Sequence, residues 1–231
     1  MKSQDPIIPF LILYLTQPNS KFYISKLIAG STKPQLEPFK DSSLDLGPQT
    51  ILGETMNFSL KNLVVQGLSN VQVVKNGGKP EITVNGNNVT FTAKIPNTEA
   101  PPTNIPKVLT LVTSLNVTPK NTPAFGGNLT VTVKTANLIG SFDATSVDGT
   151  PQKAEISFDK LQISASASSS NINIDLEMNS PFTSFIESIL SQEAIINRIM
   201  SGVNATVNQP NVLGALSNYA TITAREALKN M

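Results

Sequence analysis

Histidine, cysteine and tryptophan are all absent from this 231-residue chain. Without cysteine there is no disulfide, no thiolate nucleophile and no Cys-type zinc site. Without histidine the usual general base near neutral pH and the commonest metal ligand are missing. A secreted eukaryotic domain of this size often carries a disulfide, so its absence favours a bacterial or otherwise disulfide-free origin. Charge is also scarce, at 14% of residues against about 25% in an average soluble protein. The 17 basic and 16 acidic residues leave a net charge of +1. No Lys/Arg cluster is present to neutralise a run of phosphates, which argues against a nucleic-acid partner. Long apolar runs are missing too. Residues 7–15 form one near the N-terminus, but Pro9 interrupts it, and it falls short of the roughly 20 residues a membrane span needs. It lacks the basic start and small-residue cleavage site of a signal peptide. It is therefore expected to be part of the fold, with a cytoplasmic or non-classically secreted location and at most transient membrane contact.

What replaces charge is Ser, Thr and Asn, the mix of a β-rich protein with polar, uncharged outer faces. Residues 1–50 hold six prolines (Pro6, Pro9, Pro18, Pro34, Pro38 and Pro48) and read as irregular, with short helices over 9–15 and 22–29. From Glu54 the pattern turns to alternation, the mark of half-buried strands. Met56, Phe58 and Leu60 alternate with Asn57, Ser59 and Lys61. The phase slips at Lys61 and Asn62 before Leu63 and Val65 resume it, which predicts a bulge. Further strands are expected at 71–74, 81–84, 89–95, 109–117, 129–135, 138–145, 154–158, 161–167 and 172–178. The breaks carry turn residues at 76–78, 85–88, 126–128 and 148–149, and residues 96–106 read as a long loop. Strands this close in sequence predict up-and-down antiparallel pairing.

The period then changes. Ser180 and Pro181 read as the N-cap and first position of a helix. Its apolar face runs through residues 182, 185, 186, 189, 190, 196, 199, 200 and 203, and Pro210 stops it. A second amphipathic helix is expected over 212–229.

No catalytic constellation emerges. A serine nucleophile needs a base beside it, and no serine sits in a G-x-S-x-G elbow. Asp175 and Glu177 share a strand face, the solvated one opposite Ile174, Leu176 and Met178. The glycine pairs at 77–78 and 126–127 lack the following helix and Lys-Ser/Thr of a phosphate loop and read as hairpin turns. Asn57, Asn88, Asn116, Asn128 and Asn204 each open an N-x-S/T pattern, relevant only in a eukaryotic secretory pathway. Neither a metal nor an organic cofactor is implied.

The run 53–69, GETMNFSLKNLVVQGLS, followed by Asn70, Val71, Gln72 and Val73, resembles the TULIP superfamily. Group 7 mite allergens and juvenile-hormone-binding or takeout-like proteins show this pattern, an N-hydrophobic-x-V-x-G-L step between two strands. The later order of elements resembles the family as well. The resemblance implies an α+β fold over residues 51–231, with residues 1–50 as a Pro-rich part of it. That fold is a long, strongly curved antiparallel β-sheet wrapped around a long C-terminal α-helix. It also implies an apolar tunnel for lipids or other hydrophobic molecules, as suspected for OrfX-type bacterial relatives from toxin gene clusters. The chain departs from takeout-like proteins in lacking the cysteines of their N-terminal disulfide and in showing no obvious signal-peptide pattern.

The leading expectation is thus a non-catalytic module that binds a lipid or hydrophobic small molecule. Its expected ligand wall, taken from inward phase, is Phe58, Leu63, Val65, Phe91, Leu111, Phe142, Phe182, Phe185, Ile186, Ile189 and Ile196. Two alternatives accompany it. One is a structural or protein-interaction component of a toxin-associated or secreted complex, with its interior filled by side chains. The other is a β-hairpin pore former, suggested by Ser-rich alternation over 161–173.

Overall fold

The structure, a computed structural model, describes residues 39–51, 53–96, 108–146 and 156–229, together with Gln17. The expected helices at 9–15 and 22–29, nearly all of the expected loop at 96–106 and the turn at 148–149 lie outside the described residues. The described strands are β1 (Phe39–Ile51), β2 (Glu54–Gln66), β3 (Gln72–Val73), β4 (Lys75–Asn76), β5 (Lys79–Pro80) and β6 (Ile82–Asn85). They continue with β7 (Asn88–Ile95), β8 (Leu109–Pro119), β9 (Phe125–Val133), β10 (Ala136–Ser146), β11 (Ile156–Ser166) and β12 (Ile172–Glu177). Three helices follow: α1 (Thr183–Leu190), α2 (Glu193–Val207) and α3 (Pro210–Lys229).

Sheet A runs in the order β1-β2-β8-β9-β12 and sheet B in the order β11-β10-β7-β3, with β6 also on β7. Each described pairing is antiparallel. This is the α+β architecture implied above, antiparallel sheet first and helices last, and neither sheet closes into a barrel. Simple up-and-down pairing does not hold, however. β2 pairs with β8, β7 with β10 and β9 with β12, so the chain passes between the two sheets instead of extending one. β1 is also unexpected, because Pro48 and the polar run before it hide a strand that pairs with β2 along its full length.

The phase slip in β2 is a bulge. Lys61 faces Ser114 and Val64 faces Val112, so Asn62 and Leu63 together oppose Thr113. Asn62 sits at φ 55°, a left-handed conformation that asparagine tolerates better than most residues. Thr113, 3% exposed, donates its Oγ1 to the Lys61 carbonyl at 2.8 Å. The extra residue returns Leu63 and Val65 to the buried face already occupied by Phe58 and Leu60, which a strict period of two would not.

A second bulge joins the two strands expected at 154–158 and 161–167 into the single β11. Ser141 faces Gln162 and Asp143 faces Asp159, leaving Lys160 and Leu161 opposite Phe142. Here the Lys160 ammonium meets the Asp143 carboxylate at 2.8 Å, and Asn88 Nδ2 donates to the same carboxylate at 3.0 Å. Those hydrogen bonds, from Lys160 first and Asn88 second, hold the Asp143 carboxyl below its usual range. The bond to Asp143 raises the Lys160 ammonium above its own.

The glycine pair at 77–78 forms the β4–β5 turn as expected, with positive φ at both residues. The pair at 126–127 does not form a turn; it lies inside β9. A side chain at Gly126 would strike the Leu115 carbonyl, and one at Gly127 the Glu177 carbonyl. The pair is there for close strand approach.

The helix expected over 181–208 is two helices. Ser180 Oγ accepts from the Phe182 N–H at 3.2 Å, and α1 begins at Thr183. The ladder stops at Ser191 and Gln192. Gln192 donates its N–H to the Ile189 carbonyl and accepts from the N–H groups of Ile195 and Ile196, so it ends one helix and starts the next. Pro210, read as a stop, is the first residue of α3, a position where its missing N–H costs nothing. α1 packs on β12, α2 touches both β1 and β11, and α3 packs on β11.

Candidate functional site

α2 lies over the inner face of sheet A. Beneath it, Ile196, Ile199, Met200 and Val203 face Val65 of β2, Leu109 and Leu111 of β8, Val131 and Val133 of β9, and Ile172 of β12. All ten are apolar. Between them is a cavity of about 10 Å³, close to the space of one water molecule. No polar side chain lines it, so a water there would lack side-chain partners.

Polar side chains hold α2 in place at both flanks. On one side Arg198 Nη1 donates to the Leu46 carbonyl, at a bulge of β1 where the register shifts between Asp45 and Gly47. On the other side two asparagines reach β11, the end strand of sheet B. Asn204 Oδ1 accepts from the Ala165 N–H at 2.7 Å and its Nδ2 donates to the Ala165 carbonyl at 2.9 Å. Asn208 does the same to Ile163, at 2.9 and 2.5 Å. The spacings match. Residues four apart on a helix are offset by about 6 Å, and residues two apart on a strand by roughly 6.7 Å. Two carboxamides thus stand in for a neighbouring strand. Thr221 Oγ1 of α3 accepts from the Phe158 N–H further along β11, at 3.2 Å. On β12, the end strand of sheet A, Glu187 of α1 accepts from the Leu176 N–H at 3.0 Å. α2 therefore bridges β1 of sheet A and β11 of sheet B, and the helices satisfy edge groups that would otherwise invite pairing with another chain.

The residues expected to form a ligand wall divide into four groups. Val65, Leu111 and Ile196 line the cavity. Phe58, Leu63, Ile186 and Ile189 are buried in the same core without lining it. Phe91 and Phe142 belong to sheet B. Phe91 lies over Gly140, where any side chain would collide with its ring. Phe142 is 6.3 Å from Phe91 and 5.1 Å from Phe158 between ring centroids. Phe182 and Phe185 are 58% and 42% exposed: Phe182 stands at the N-cap, outside α1, and the residues α1 buries are Ile186, Ile189 and Leu190. Helical phase already singled out Ile199, Met200 and Val203. Asn204 and Asn208 were missed, although two amides four apart beside an apolar helical stripe are a legible sign of an edge clamp.

Among the described residues no helix is long and apolar enough to cross a membrane, and no three acidic side chains gather as a metal site would require.

No family model matches the chain, and no curated protein matches it in sequence. Among solved structures it is similar to Takeout 1 of Epiphyas postvittana, 9% identical, with 90% of this chain and 87% of that one covered and a TM-score of 0.47. It is also similar to lipopolysaccharide binding protein, 13% identical, with 78% of this chain and 35% of that one covered and a TM-score of 0.36. The functional reading below rests on the geometry of this chain.

Proposed function

We propose that the chain binds a hydrophobic ligand of the lipid class between sheet A and α2, without catalysing a reaction. The observation that supports this is the interface itself: ten apolar residues from five elements around a void, under a helix fixed by polar bonds at its flanks. Ligand pockets typically measure roughly 300–1,000 Å³, so the void of about 10 Å³ is a closed form. A ligand would enter by displacing α2 from the sheet, which would break the flanking bonds.

The same small void favours a second reading, in which the interior is solid core and the chain is a structural component of a larger complex. Titration with the uncharged fluorescent probe N-phenyl-1-naphthylamine separates the two. The ligand-binding reading expects saturable fluorescence enhancement, stronger in an Ile199→Ala variant that widens the void. No enhancement in either protein, with circular dichroism showing both folded, would leave the filled-core reading.

A further inference from the structure

A second concavity adjoins the first across the Asn204–Asn208 clamp. It is an open groove of about 550 Å³ lined by Ile139, Ser141, Gln162, Ile163, Ser164, Asn204, Asn208 and Leu213. Ile139 and Ser141 of β10 stand in register with Ser164 and Gln162 of β11, so these four share the outer face of sheet B. The turn from α2 into α3 forms the other bank. Ile139 is 57% exposed although it sits in the middle of a strand.

The groove and the cavity lie on adjacent faces of one helix turn. Val203 points into the cavity and Asn204, its neighbour, borders the groove. The carboxamide bonds to Ile163 and Ala165 run from this helix turn to β11. Three of the groove's lining residues are apolar and five are polar, and none is charged. Of those five, the Asn204 and Asn208 carboxamides are engaged on β11, which leaves the Ser141 and Ser164 hydroxyls and the Gln162 carboxamide to meet a ligand. The charges flanking the groove along the strands, Asp143 and Lys160, are bound to each other.

We infer that the ligand is an uncharged amphiphile, with its hydrocarbon chain under α2 and its neutral hydroxyl- or ester-bearing head in the Ser141–Gln162–Ser164 groove. This deepens the function proposed above and rests on it. A carboxylate or phosphate head would meet no cation among the residues that line the groove, so it gains nothing there over its own hydration. A neutral head exchanges its water for hydroxyl and amide partners of similar strength.

The test compares monoolein with oleate, which share a chain and differ in the head, by equilibrium dialysis at concentrations below aggregation. Monoolein is expected to bind at least about tenfold tighter, a difference of roughly 1.4 kcal/mol. In a Gln162→Lys variant, on the exposed face of β11, oleate is expected to gain about tenfold through a charge-assisted bond. Equal or tighter binding of oleate to the unaltered protein would overturn the head-group assignment while leaving hydrophobic binding intact. Failure of the lysine variant to favour oleate would overturn the placement of the head in this groove. If neither lipid binds and N-phenyl-1-naphthylamine does not bind either, the underlying reading falls with it.

Discussion

Asn204 and Asn208 show how two side chains can do the work of a strand. Each carboxamide offers one acceptor and two donors, and here each meets the N–H and the carbonyl of one residue on β11. Replacing either with alanine leaves two backbone groups without their protein partner. Each change is expected to cost about 1–3 kcal/mol, read as a lower urea midpoint. Asn204→Asp is expected to be worse near neutral pH, because a carboxylate then faces the Ala165 carbonyl, and to recover partly on acidification. Asn204 also opens an N-x-S/T pattern, and its amide is already committed. Expressed through a eukaryotic secretory pathway, the folded chain is expected to carry glycans at exposed Asn57 or Asn128 and none at Asn204, checked by glycopeptide mass. The Asp143–Lys160 pair belongs to the same scale. Because the Asp143 carboxyl is lowered in the fold, its contribution is present above the unfolded carboxylate range and fades as pH falls through the folded value. Lys160 is 79% exposed and water screens the pair, so Asp143→Asn is expected to shift the urea midpoint very little at pH 7, and less still in acid.

Among the elements α2 carries the most. Its apolar stripe was legible at residues 196, 199, 200 and 203, because helical phase is a strong signal. The break at Ser191 and Gln192 was not, since neither residue is a helix breaker. The break redirects α2 across sheet A, where Gly202 rests on Leu44. An added Cβ at Gly202 would lie 2.3 Å from the Leu44 side chain. Gly202→Ala sets a helix-propensity gain of up to about 1 kcal/mol against overpacking of roughly 1–3 kcal/mol, and net destabilisation is expected. A Leu44→Ala change in the same chain is expected to relieve the clash, so that the alanine at 202 costs less there than alone. Equal costs in both backgrounds would show that Leu44 moves aside freely. Ile199→Ala, which enlarges the void, is expected to lose about 2–5 kcal/mol and to recover part of it on adding monoolein.

Across the whole molecule, the sequence disclosed content better than connection. Alternation located most strands, the Lys61–Asn62 phase slip located a bulge, and the late change of period located the helices. Pairing partners were hidden, because β2–β8 and β7–β10 join residues far apart in the chain and alternation is blind to which strand lies alongside. β1 was hidden by Pro48 and by its polar composition, which suits an end strand of a sheet. The groove was hidden for a related reason: Ile139, Ser141, Gln162 and Ser164 read as an ordinary outer face until the α2–α3 turn is placed beside them. Whether the interior opens to a ligand is tested most directly by native mass spectrometry of the purified chain, before and after incubation with monoolein. Expected is an added mass of one lipid per chain, retained at low collision energy and released on denaturation. A single apo mass that incubation leaves unchanged would contradict ligand binding under α2 and identify the interior as solid core.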